Sequence, residues 1–599
     1  MDFANFSVEN SWDSGFVGRI QFKNITDKPL NGWQFQFVAP FEVKEIWGAD
    51  IVQRQGNLIT VKPKTWNRQI AVGDDISFGF VGEPKTGSIT DAFNQPRDFS
   101  LNGSQPLPPV SSPPVSSPPV SSPPVSSPPG PSPTPDEITP PAAPRFSYGE
   151  ALQKSFLFYE AQRAGDLPAD NRIDWRGDST LKDGADVGRD LSGGYFDAGD
   201  TVKFGMPMTS SMTLLAWGVD EYKNGYQKSG QLDEALDAIK WGTDYLLNAH
   251  VAKNGKTQAF YGQVGLGDVD HSYFGRVEDM DVERPAFKID AQNPGTDLAA
   301  EAAASLAAAA MLFQESRPGY SNKLLKNAKQ LYRFADEYRG RYSDSIQDAD
   351  KFYKSWDGYE DELAWGATWL YKATGDQQYL DEAESNYDGV GWTQSWGDKN
   401  FGTSVLLAQE KPGNARYRQD AETWLNNWTD GNGGVKYTPG GFAWLTEWGS
   451  TRMAANAAFI AGVYSDTVTD PQGKYADFAE GQIDYLLGDN PNDFSYMVGF
   501  GDNYAKQPHH RNATGTPNFN TPADNLHTLY GALVGGPTRA SDDAYRDVRS
   551  DYVANEVALD YNAGFTGALA RMYENFGGDP LSNAELDSLP GISVPESGL

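Results

Sequence analysis

The chain has 599 residues, too many for one ordinary domain, and carries 81 acidic against 49 basic side chains, a formal charge of -32. That balance repels phosphate backbones and anionic lipid surfaces and so argues against nucleic-acid and membrane partners, while leaving a neutral polymer open. With no cysteine the chain has no disulfide, thiolate metal site or cysteine nucleophile, and an aromatic content of 13% suits stacking on flat apolar faces such as sugar rings.

Residues 1–103 alternate apolar and polar positions in short runs, as in Gly15-Phe16-Val17-Gly18-Arg19-Ile20-Gln21-Phe22 and Trp33-Gln34-Phe35-Gln36-Phe37. Turn signals at Asp27-Lys28-Pro29, Gln55-Gly56-Asn57 and Val72-Gly73-Asp74 divide them, so an antiparallel β-sandwich is expected. Residues 104–144 follow as a Pro/Ser-rich linker in which Pro-Pro-Val-Ser-Ser repeats. Such a run favours polyproline II and could span on the order of 100 Å.

From 145 to 578 the period becomes helical. The alanine run after Thr296-Asp297 reaches Met311, with one of those two residues as N-cap, and further helices are expected near 148–163, 207–223, 232–249, 321–338, 360–373, 416–427, 451–465, 474–487 and 556–575. So many helices joined by long aromatic-rich loops imply a layered helical barrel. No stretch reads as an unbroken apolar span long enough to cross a bilayer, and 579–599 reads as a tail.

Two segments carry candidate chemistry. Ser192-Gly193-Gly194-Tyr195-Phe196-Asp197-Ala198-Gly199-Asp200 presents two aspartates on a glycine-rich turn, where they could hold one water; a helix cap or a calcium ligand explains either aspartate equally well. Glu556, among apolar neighbours in Asn555-Glu556-Val557-Ala558-Leu559-Asp560-Tyr561, could be held protonated as an acid, or could simply complement a helix dipole. Glycoside hydrolysis needs such a protonated and ionised carboxyl pair.

Together these segments, with Phe494-Ser495-Tyr496-Met497-Val498-Gly499-Phe500-Gly501 and Pro508-His509-His510-Arg511, resemble glycoside hydrolase family 9 over nearly all of 146–576. The resemblance implies an (α/α)6 barrel that cleaves β-1,4-glucan by single displacement with inversion, needing no cofactor for the chemistry. It makes Asp200 the base, Asp197 its partner on the water and Glu556 the general acid. It assigns His271, His509, Arg511 and Tyr561 to sugar contacts and Tyr353, Trp356, Trp392 and Trp448 to aromatic platforms, though any one of these aromatics would also suit a core. Structural calcium is implied at Asp357, Asp361, Glu362 and Asp398, which would otherwise be a solvated acidic helix start. Met453 stands where the family often has a tyrosine, so one sugar contact is expected to be missing.

The strand region, with Asn10-Ser11-Trp12, Gly32-Trp33, Ile46-Trp47-Gly48 and Thr65-Trp66-Asn67, resembles a family 2 carbohydrate-binding module. By that resemblance Trp12, Trp47 and Trp66 form a flat exposed row and Trp33 lies in the core. Pro106 stands about where the module's second cysteine would fall. The expectation is therefore a secreted, monomeric endoglucanase acting on cellulose and soluble β-1,4-glucans, its signal peptide replaced by Met1. Processive cleavage, a xyloglucan or mixed-linkage substrate, and a non-catalytic cellulose binder are the alternatives; the short tail after Phe576 and the presence of all three carboxylates weigh against the first and last.

Overall fold

A computed structural model describes residues 4–12, 15–24, 28, 30–31, 33–47, 49–63, 69–70, 75–83 and 97–101 of an N-terminal unit, and 144–356, 358–389 and 391–594 of a C-terminal one. The chain divides into these two compact units between Thr134 and Pro135.

The N-terminal unit contains two antiparallel four-stranded sheets and a short antiparallel pair, β3 (Leu30–Asn31) with β8 (Gln69–Ile70). One has the order β1 (Ala4–Trp12), β2 (Gly15–Lys23), β9 (Asp75–Glu83), β5 (Glu42–Trp47). The other runs β10 (Arg97–Leu101), β4 (Phe35–Val38), β7 (Leu58–Pro63), β6 (Ala49–Gln55). Alternation buries one face of each strand: Phe16, Ile20 and Phe22 on β2, Phe35 and Phe37 on β4, Phe78 and Phe80 on β9. The resulting core is aromatic, with Phe22 stacked on Phe35 at 4.5 Å and Trp33 edge-on to Phe22 at 5.0 Å. Trp33 is buried there, as expected. Trp12 closes β1 and Trp47 closes β5. Their side chains, and the whole of Trp66 and Pro106, lie outside the described residues.

The C-terminal unit holds, among its described residues, twelve helices of ten residues or more. They are α1 (Tyr148–Gln162), α2 (Gly205–Glu221), α3 (Leu232–Ala249), α4 (Thr296–Phe313), α5 (Pro318–Glu337), α6 (Glu360–Thr374), α7 (Gln377–Asn386), α8 (Asn400–Glu410), α9 (Ala415–Asp430), α10 (Ser450–Thr467), α11 (Lys474–Leu487) and α12 (Leu559–Phe576). The even-numbered helices close an inner ring, each packing on the next and α12 returning to α2. Each odd-numbered helix packs outside it. This is a six-fold double-layered barrel of alternating outer and inner helices.

Composition sorts the layers. α2, α4 and α10 are buried nearly all round, whereas α3, α5 and α9 bury one stripe and wet the other. α4 is built largely of alanine, which lets its neighbours approach closely; a Cβ on Gly366 of α6 would sit 2.9 Å from the Ala300 carbonyl oxygen. Contrary to the sequence reading, α4 is long and apolar enough to cross a membrane by length and composition, yet it is 89% buried inside the barrel. Its N-cap is Gly295, so Asp297 lies within the first turn rather than capping it.

Residues beyond 578, expected as a tail, fold back on the barrel as far as they are described. Ile592 bridges to Ile173, and Leu586 and Ile592 are buried.

Candidate active site

The segments leading into the inner helices all emerge at one end of the barrel. Asp197 and Asp200 precede α2, Tyr353 and Trp356 precede α6, Trp392 and Asp398 precede α8, Trp448 precedes α10 and Glu556 precedes α12. Helix N-termini carry partial positive charge, so this end suits a concentration of carboxylates.

The aspartate loop and the glutamate segment are tied by their backbones. The Leu559 amide donates to the Asp197 carbonyl at 2.9 Å, the Arg511 amide to the Gly199 carbonyl at 3.1 Å, and His509 pairs with Glu556 in a parallel bridge. Only glycine fits at 199, because a Cβ there would lie 1.8 Å from the His509 carbonyl oxygen. Residues more than 350 apart in sequence are thus fixed against one another.

Asp197 is buried. Tyr353 donates its hydroxyl to Asp197 Oδ2, while Oδ1 is buried without any partner in the protein and is left to a group from outside the fold. Burial, then the charge of Asp200, pushes its carboxyl well above the usual range, against the Tyr353 hydrogen bond. Asp200 goes the other way. Burial would raise it, but the hydrogen bond from His271 Nε2 at 3.4 Å, the charges of His271 and Arg511, and the Val202 amide at 3.2 Å together hold it below the usual carboxylate range. The pair therefore keeps its proton on Asp197 and its charge on Asp200.

Glu556 receives two donors on one oxygen, Trp448 Nε1 and, at 2.8 Å, the Tyr561 hydroxyl. Burial still outweighs both, and its carboxyl is pushed up to about 6. Behind it, Arg452 lies over the Tyr561 ring at 4.9 Å and pairs with Asp560 at 2.6 Å.

The remaining expected residues fall into two groups. Trp356, Trp392 and Trp448 are 70%, 52% and 47% exposed, and no other tryptophan of this unit is among its exposed large apolar side chains, so all three are available as stacking surfaces. Tyr353, Tyr561 and Arg511 look inward instead. The two tyrosines spend their hydroxyls on carboxylates, and the Arg511 side chain is 6% exposed and paired with Asp270. His509 is half-buried, with Nδ1 on the Arg549 carbonyl at 2.8 Å, and burial lowers its pKa. His510 is structural: buried between Gln162 and the Ala513 amide, its pKa falls to about 3. Met453 is buried in α10.

Sequence reasoning missed Asp270, which holds Arg511 and Thr201; Trp396, edge-on to Tyr353 at 5.0 Å; and Tyr552, 42% exposed beside Trp448. The repeat of tryptophan in Trp392-Thr393-Gln394-Ser395-Trp396 was a signal for the second. Among the described residues Asp200, Asp270 and His271 could together hold a metal, but their ligand atoms are engaged with each other, Arg511 and Thr201.

Of the calcium candidates, Asp357 lies outside the described residues. Asp361, Glu362 and Asp398 are buried, and the charge of Asp361 acts on both others: burial and then Asp361 push Asp398 up to about 7 and Glu362 well above the usual range. The cation beside them, Lys399, is shared with Glu301 at 3.5 Å. The hard oxygens and surplus buried charge of Asp361, Glu362 and Asp398 suit a divalent cation in kind, but the amides of Trp392, Thr393 and Asn400 already donate to Asp398 and that of Lys399 to Asp361, and among the described residues these three carboxylates do not converge on one point.

Residues 148–569 match the family model described as glycosyl hydrolase family 9. The chain belongs to that family. Residues 3–105 match the cellulose binding domain model, so the family 9 domain follows a cellulose-binding module. Endoglucanase B of Cellulomonas fimi is 54% identical over 459 residues, covering 74% of this chain and 43% of its own length; the chain thus spans less than half of that relative. The family 9 domain superposes on the endoglucanase of the termite Nasutitermes takasagoensis with a TM-score of 0.67 and 48% identity, over 71% of this chain and 98% of that one. It also matches endoglucanase CelQ of Clostridium thermocellum complexed with cellotriose, with a TM-score of 0.67 and 41% identity, over 73% of this chain and 72% of that one.

Proposed function

We propose that the protein is an extracellular, monomeric endo-1,4-β-glucanase that hydrolyses cellulose and soluble β-1,4-glucans with inversion, held to cellulose by its N-terminal module. One observation carries this reading: a carboxyl pushed up to about 6, Glu556, and one held below the usual carboxylate range, Asp200, stand on segments laced together at one aromatic-lined end of the barrel. Glu556 donates its proton to the leaving glycosidic oxygen. Asp200 takes a proton from the attacking water, and Asp197, with its unpartnered Oδ1, helps to hold that water. Exposed Trp448, Trp392 and Trp356 stack on sugar rings along the groove. Asp361, Glu362 and Asp398 would be the described residues to hold a structural calcium ion, which would offset their buried charge and take no part in the bond cleavage.

Reducing-end and viscosity assays on hydroxyethylcellulose test the roles. Glu556→Gln and Asp200→Asn should each lose at least about a thousandfold in kcat, with the melting temperature unchanged. Near-normal turnover by either variant would overturn the assignment, and NMR of the first-formed anomer decides inversion separately.

A further inference from the structure

On the flank of the barrel, away from the cleft, two adjoining hollows of about 190 and 360 Å³ share Gly255, Gln330 and Arg333 and form one trough. Its walls are the turn between the strands His250–Lys253 and Lys256–Val264, and the outer face of α5. The cleft residue His271 follows the other end of the second strand, whose nine residues span about 27 Å.

The trough is cationic in a chain of net charge -32. Lys326, Lys329 and Arg333 recur at three- and four-residue spacing, so they line one helix face over about 10 Å, and Lys256 faces them from the turn. None of these four cations is in an ion pair among the described residues, although 81 carboxylates are available in the chain. The carboxylate in the lining, Glu337, is engaged by the Tyr338 hydroxyl. Between the cations stand the amides of Gln258, Asn322 and Gln330, which bond hydroxyls as readily as charges.

We propose that this trough binds a polyuronate, a polysaccharide bearing a carboxylate on each sugar, independently of the catalytic cleft. A row of cations interleaved with amides matches a ligand that alternates carboxylates with hydroxyls. The rest of the acidic molecule repels any polyanion, and duplex nucleic acid, with about one charge per 1.7 Å of axis, more strongly than a chain with one charge per sugar. A lipid surface would need apolar anchors, and among the described residues no exposed large apolar side chain lines the trough.

The test uses the full chain and polygalacturonate in affinity electrophoresis and calorimetry, with methyl-esterified polygalacturonate as the uncharged control. The wild type should retard on polygalacturonate alone, more weakly as salt rises. K326E/K329E/R333E should bind at least about tenfold more weakly, three solvent-reached contacts each contributing modestly. Hydrolysis of neutral hydroxyethylcellulose and the melting temperature should not change. The proposal falls if the wild type does not bind, if the triple variant binds equally well, or if duplex DNA or anionic vesicles bind the trough more tightly than polygalacturonate. Because the readout is binding, loss of the hydrolase reading would leave it intact.

Discussion

Removing the Tyr561 hydroxyl should move the pH limit of hydrolysis upward. In the wild type that hydroxyl and Trp448 Nε1 both donate to Glu556 Oε2 and favour its ionised form, which opposes the burial that lifts the carboxyl to about 6. A hydrogen bond to a charged acceptor contributes about 1.5–3 kcal/mol, of which the ionised form keeps roughly 1.4 kcal/mol more than the neutral one, a factor of ten in acidity. In Tyr561→Phe the midpoint therefore rises from about 6 towards about 7. Since Glu556 acts while protonated, activity is lost as pH rises through this value, and the variant should lose it later. The assay is the pH profile of kcat/KM on hydroxyethylcellulose, whose descending limb reports the acid in the free enzyme. A limb that stays in place or moves to lower pH would refute the argument, whatever happens to the absolute rate.

Other expectations follow from the same geometry. Gly199→Ala must drive the aspartate loop off the His509 carbonyl, and a displacement of that size should cost about a hundredfold in kcat, with KM less affected. Millimolar calcium should raise the melting temperature by several degrees and a chelator should reverse it, in line with about 2.7 kcal/mol at a hundredfold excess over Kd; Asp361→Asn should abolish the response, and identical melting with and without calcium would remove the site. Trp33→Ala should destabilise the N-terminal unit by about 3–5 kcal/mol, read by its unfolding transition, because that aromatic core has no disulfide to support it.

Ten of the twelve barrel helices and the two-unit organisation were legible from periodicity. The two that were not, α7 and α8, show why. Gln377–Asn386 is short and polar enough to read as a loop, and Asn400–Glu410 begins with Asn-Phe-Gly-Thr-Ser, residues that propensity disfavours and burial against α6 and α10 overrides. Within the site, residue type was visible and direction was not. Tyr353 and Tyr561 carry the same side chain as a sugar platform, but their loops turn the hydroxyls inward to Asp197 and Glu556. Arg511 suits a sugar contact until Asp270, 241 positions away, claims it. Trp356, Trp392 and Trp448 are exposed while Trp365, Trp369 and Trp424 are buried, a packing outcome that no local pattern encodes.

The alanine construction of α4 has a consequence for how such an enzyme can change. A wall built so largely of alanine has little side chain to trim and no slack to take added bulk, so enlargement from inside would split the ring. Altered substrate preference must instead be written in the lengths and contents of the loops at its mouth, where the protein already keeps every reactive group.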